Sequence, residues 1–199
     1  MKPDWAPALP DEAQAVLSFW FEGGEGAGQV HQAWFRKDER FDLEIASRFE
    51  TTLAAAREAR LDGWQATPLG SLALIVVLDQ FSRNIHRGSP LAFAGDAQAL
   101  ALARELVTSG RDRALDTLQR WFAYLPFEHS ESLADQDESV RLFSGLAAED
   151  GRLAGALDYA HRHRKVIARH GRFPHRNAVL GRPNTPDELI YLATPGAGF

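Results

Sequence analysis

Between Leu69 and Phe81 the chain carries a single charged residue, Asp79. Thr67-Pro68 just ahead joins a capping side chain to a proline at the first helical position, so the run reads as a helix. It is apolar nearly all round, and a helix of that kind has to sit at the centre of a packed domain. Its unbroken apolar part, Leu72 to Leu78, is far short of the ~20 residues of a membrane span. Whatever the fold, amphipathic elements must wrap around this segment.

The rest of the chain supplies them as helices, with no convincing strand. Asp11 with Gln14 reads as a capping-box pair opening a helix to about Phe21. Glycines 23, 24, 26 and 28 form a loop, and a short helix follows around His31 to Arg36. Asp38 caps a long helix on which Phe41, Ile45, Phe49, Leu53 and Ala56 recur at helical spacing, with Gly63 at its C-terminal cap. Gly88-Ser89-Pro90 is a break. Asp96 then caps a helix to about Val107, Asp116 with Gln119 opens one that stops before Pro126, and Ser132 with Asp135 opens one to about Ala148. Another spans about Leu153 to His170 and ends at Gly171, and Thr185-Pro186-Asp187-Glu188 starts a last one to Leu192. Short loops between medium helices imply antiparallel pairs. The expectation is a single all-α domain over 1–199 with roughly eight to ten helices. The Trp-Phe pairs at 20–21, 34–35 and 121–122 are read as core aromatics.

The absence of cysteine excludes disulfides, thiolate metal sites and a cysteine nucleophile. Residues 1–10 show no basic start leading into an apolar run, so no secretory signal is expected and the protein should be soluble and cytoplasmic. Net charge is −5, unevenly spread. From Tyr159 to Pro186 there is no acidic residue, while Arg162, Arg164, Lys165, Arg169, Arg172, Arg176 and Arg182 all fall there. From Phe127 to Asp150, Glu128, Glu131, Asp135, Asp137, Glu138, Glu149 and Asp150 face only Arg141. Either the two segments pair in the fold, or they form a cationic pocket with a carboxylate rim.

Three polar clusters could carry chemistry. Asp79 and Arg83 share a helix face, with Asn84 and Arg87 just beyond. A salt bridge would offset the cost of burying Asp79 and could aim Arg83 at a ligand. In Pro126-Phe127-Glu128-His129-Ser130-Glu131 an imidazole stands between carboxylates, which raise a histidine pKa; His129 with Glu131 is a candidate acid–base pair or a loop-and-cap arrangement. In the third cluster, Ala156, Ala160, His163, Ile167 and His170 fall on one helix face, so both histidines point inward. They lead into Gly171-Arg172-Phe173-Pro174-His175-Arg176-Asn177 and Arg182. Arginine suits carboxylate or phosphate because its planar fork gives two parallel bonds.

Other chemistries fit less well. His129, Glu131, His163 and Asp79 could ligate a metal, but no His-Glu-x-x-His pattern exists and nearby arginines repel a cation, so neither a metal nor a cofactor is expected. The glycines at 23–28 follow a helix and lack the Lys-Ser/Thr of a phosphate-binding loop. The chain is acidic overall, and its basic residues do not line one outward face, so nucleic acid is not an expected partner.

Val16-Leu17-Ser18-Phe19-Trp20-Phe21, Trp34-Phe35, Leu78-Asp79-Gln80-Phe81-Ser82-Arg83-Asn84, Phe93-Ala94-Gly95-Asp96, Leu125 to Glu131 and Gly171 to Asn177, with Leu180-Gly181-Arg182 and Thr185 to Glu188, together resemble the bacterial "domain of unknown function 924" family. The resemblance covers nearly the whole chain. It implies an all-α, tetratricopeptide-like array and brings no activity with it.

Two functional readings follow. In the first, Asp79, Arg83, Asn84, Arg87, His163, Arg172, His175, Arg176, Asn177 and Arg182 line a pocket for a small anionic ligand. In the second, a hydrolase or transferase uses His129 as general acid or base, oriented by Glu131. A third possibility has no ligand: the clusters staple helices together.

Overall fold

The computed structural model describes residues 8–22, 34 and 36–198. The described residues form helices and turns and no strand, as expected. The glycine loop at 23–28, Phe35 and most of the short helix expected at His31 to Arg36 lie outside them. The chain divides into two compact units, one made of 1–87 and 91–126, the other of 88–90 and 127–199.

The first unit contains α1 (Asp11–Glu22), α2 (Glu39–Arg57), α3 (Pro68–Ile75), α4 (Ser82–Ile85) and α5 (Asp96–Thr108). The unit boundary falls within α6 (Thr117–His129). Thr67 caps α3 by accepting from the Gly70 amide, with Pro68 in the first turn. Every residue from Gly70 to Ser82 is buried, as the apolar run requires. One feature departs from expectation: Val76–Phe81, between α3 and α4, is wound as a π-helix, a form often found at functional sites. Phe81 at its end packs against Phe49, with ring centroids 4.9 Å apart, and against Trp20 at 5.6 Å. Trp20, Phe21, Trp34 and Phe122 form one aromatic cluster, in keeping with a core role.

Several boundaries differ from those the sequence predicts. Asp11 is the first residue inside α1, and the Gln14 amide donates to Ser18 Oγ instead of closing a capping box. Asp38 does cap α2, accepting from Arg40 and Phe41. That helix ends at Arg57, well before Gly63; Ala59 takes the left-handed conformation, with φ 58°, and the chain enters a 3-10 turn at Asp62–Ala66. Asp96 is the first residue of α5 and leaves the cap to Gly95. A Cβ at Gly95 would lie 2.3 Å from the Leu78 carbonyl oxygen, so only glycine permits this approach. Asp116 and Gln119 make their reciprocal capping bonds, but α6 runs through Pro126 to His129. The proline costs about 3 kcal/mol, and burial of Phe122, Leu125 and Phe127 beside it offsets that.

In the second unit α7 (Leu133–Glu149) packs on α8 (Ala154–His170), with a 3-10 turn at Gly151–Leu153 between them. α8 ends at Gly171 as predicted. A 3-10 turn at Pro174–Arg176 follows, then α9 (Pro186–Leu192), opened by the expected Thr185–Glu188 capping box. Phe143, Leu146, Ile167 and Phe173 are core residues. No described helix is long and apolar enough to cross a membrane.

Candidate functional site

The polar residues of the first unit gather at the π-helical segment. Asp79 is fully buried; its carboxylate lies 2.9 Å from Arg83 Nη1 and accepts from Gln80 Nε2 at 2.6 Å. Arg83 also donates to both oxygens of Asp96, at 2.8 and 3.1 Å. Burial alone would lower the Arg83 pKa, but Asp79 and Asp96 together hold it above its ordinary value. The Asp79–Arg83 bridge thus forms as the spacing predicts, with Asp96 on the guanidinium edge proposed for a ligand. Asn84 and Arg87 both donate to Asp42, Arg87 through Nε and Nη2 at 2.8 and 2.9 Å.

In the second unit a larger network surrounds Phe173. Arg182 makes two parallel bonds to Glu131, at 2.7 and 2.9 Å, and donates to Asn177 Oδ1 and the Phe173 carbonyl. Glu131 also accepts from the Phe173 amide at 2.7 Å. Arg172 pairs with Glu188 through Nε and Nη2, at 2.6 and 2.8 Å, and Asn177 joins the same carboxylate at 3.3 Å. Arg176 is buried, stacks its guanidinium 4.7 Å over the Phe173 ring and donates to the His129 carbonyl at 3.0 Å. His163 lies edge-on to Phe173, with its ring centroid 6.4 Å from that of His129. His175 also packs against Phe173, with ring centroids 5.5 Å apart, and a Cβ on Gly198 would come within 3.3 Å of its own Cβ, so the segment after α9 closes over it.

Burial sets the protonation states. It lowers the His163 pKa to about 3, with His129, His175 and Arg176 adding to the effect. Burial and Arg176 lower that of His175 to about 4. Both rings are therefore neutral at pH 7. His163 Nδ1 lies 2.9 Å from the Tyr159 carbonyl, which can only accept, so Nδ1 carries the proton. Glu128 Oε1 stands 3.3 Å from the same nitrogen. For Glu131, burial pushes the pKa up, but the bonds from Arg182 and the Phe173 amide prevail and hold it down. The bonds from Arg172 bring Glu188 to about 2.

The acidic and basic segments do meet: Glu131 with Arg182, Asp137 with Arg164, and Glu128 with His163. His163, Arg172, His175, Arg176, Asn177, Arg182, His129 and Glu131 share the second unit, whereas Asp79, Arg83, Asn84 and Arg87 belong to the first. Glu131, expected to orient His129, gives its oxygens to Arg182 and the Phe173 amide. The partners Asp42, Asp96 and Glu188 were not foreseen; Asp96 and Glu188 stood out only as caps. No group of three or more His, Asp or Glu residues able to hold a metal occurs among the described residues. An open cavity of about 430 Å³ is lined by Ser18, Phe19, Glu22, Phe41, Glu44 and Arg48. None of the predicted site residues lines it, and its two glutamates make it a poor receptor for an anion.

No curated protein matches the chain. A solved structure of a protein of unknown function from Agrobacterium tumefaciens, ATU0120, is similar: 39% identical, with a TM-score of 0.81 over 91% of this chain and 96% of that one. Residues 16–196 match a family of bacterial proteins of unknown function, DUF924.

Proposed function

We propose, starting from the fact that the chain belongs to the DUF924 family of bacterial proteins, that it binds a small molecule bearing a carboxylate or phosphate group at the His129–His175–Arg176 cluster. The observation that carries this reading is the density of titratable groups around Phe173: His129, His163, His175, Arg176 and Glu128, three of them more than nine-tenths buried. Charged groups in such a place are costly, and well-packed apolar residues commonly serve stability as well or better. Buried groups with shifted pKa values cluster at functional sites, where burial and neighbouring charge tune them. Arg176, held flat on Phe173, would supply the charge, and the neutral His175 imidazole would orient the ligand without repelling it. We read the helix pairs as a tetratricopeptide-like array, an architecture that builds concave binding surfaces.

Thermal unfolding of the full chain with inorganic phosphate or acetate tests this. The melting temperature should rise saturably, and Arg176→Gln should shrink the rise. A melting curve that neither anion moves would overturn the proposal.

A structural reading has its own support in the paired bonds of Arg172 to Glu188 and Arg182 to Glu131. On that reading these arginines, with Arg83 and Arg87, tie segments together and contact no ligand. The hydrolase or transferase reading has less behind it: Glu131, which would orient His129, is committed to Arg182 and the Phe173 amide.

A further inference from the structure

Arg57, the last residue of α2, stands apart from the arginines described so far. It is half-buried, and no carboxylate of the described residues lies within ion-pair distance of it. Its Nη2 donates to Ser82 Oγ at 3.2 Å and to the Leu91 carbonyl at 2.6 Å. Its Nη1 lies 3.2 Å from His86 Nε2. Arginine can only donate, so Nε2 is the acceptor and the neutral His86 ring carries its proton on Nδ1. The buried Nε–H has no acceptor at all. All its partners are neutral.

That arrangement is costly. A half-buried guanidinium keeps its charge, and with only neutral partners it forgoes the compensation that the other arginines receive. The C-terminal end of α2 offsets part of the cost through its partial negative charge, but it gives Nε–H no acceptor. Burial lowers the pKa of Arg57, and burial followed by the Arg57 charge lowers that of His86. Glu50 works in the opposite direction on His86, and the neighbouring Arg87 is taken by Asp42. The guanidinium, held by Ser82 Oγ, and the Nδ1–H of His86 are donors of the kind that match the oxygens of a phosphate-like anion.

We propose that Arg57, held in place by Ser82, forms with His86 a second site, for a small oxyanion, in the first unit. It is separate from the cluster around Phe173 and shares no residue with it. An incoming oxyanion supplies the negative charge that Arg57 lacks and the acceptor its free N–H groups require.

The test is a titration of the full chain with inorganic phosphate, followed by NMR at the Arg57 Nε–H and the His86 ring. Both signals should shift and saturate. Arg57→Gln should weaken the binding seen at His86 by roughly tenfold or more, the loss expected for a charge-assisted contact. Ser82→Ala should weaken it by less, and Arg176→Gln should leave it unchanged. The proposal is overturned if neither signal moves with phosphate, if chloride at equal ionic strength moves them as far, or if Arg57→Gln leaves the His86 titration intact. Should Arg57→Gln fail to fold, the phosphate and chloride titrations of the wild-type chain and of Ser82→Ala decide.

Discussion

Arg182 and Arg57 are both partly buried guanidiniums, and the protein treats them in opposite ways. Arg182, in the second unit, meets Glu131 through two parallel bonds, and an amide oxygen and a carbonyl take up two more of its donors. Arg57, in the first, meets a ring nitrogen, a hydroxyl and a carbonyl, with Nε–H left over. The contrast teaches that an arginine-rich segment is not in itself an anion site. What matters is whether the chain supplies the opposing charge. Where it does, the pair fastens structure; where it does not, an outside anion can lower the free energy.

The largest effect should come from breaking a matched pair in the core. Asp79→Ala removes a fully buried carboxylate from Arg83 and should cost about 3–5 kcal/mol in denaturant unfolding. A loss below 1 kcal/mol would show that Asp96 alone satisfies Arg83. Next, Glu131→Gln should turn Arg182 into a counterpart of Arg57. It should lose about 1–3 kcal/mol, and part of that loss should return when phosphate is added, whereas the wild-type Glu131–Arg182 pair gains nothing from the anion.

Acidification sharpens the comparison from the side of the imidazoles. His163 titrates at about 3 in the folded chain, against an ordinary 6.5. Below 6.5 the unfolded state therefore binds more protons than the native state. Stability attributable to His163 should be complete above 6.5 and fall as pH drops toward 3, by up to about 1.4 kcal/mol per pH unit. Urea unfolding across that range, with His163→Gln as the flatter control, measures it; equal slopes would mean that the native ring protonates freely. Smallest of all, Arg57→Gln should change stability by less than about 1 kcal/mol, because the unmatched charge is lost together with its hydrogen bonds. A loss of several kcal/mol would make Arg57 a structural residue.

Local signals in the sequence translated well. Asp38, Thr67-Pro68 and the Thr185–Glu188 box act within a few residues of themselves, and each opens the helix it predicts. The Asp79–Arg83 pair was legible because both residues share one helix face. Winding of Val76–Phe81 as a π-helix was not, since the run holds no glycine or proline to mark a change of winding. Pro126 misled because burial of its neighbours outweighs the broken helical bond. The partners of the arginines escaped for a related reason. Asp42 meets Arg87 from 45 residues away, and Asp96 reads as a cap until the Gly95 contact with Leu78 brings it to Arg83. Arg57 gave no signal, because a missing carboxylate cannot be seen along a chain.

The proposal that the cluster around Phe173 takes an anion is tested most directly by titrating phosphate into the full chain while following the ring resonances of His129 and His175. Saturable shifts that vanish in Arg176→Gln are the predicted result. Rings that stay unmoved through the millimolar range, in a chain that remains folded, would contradict it.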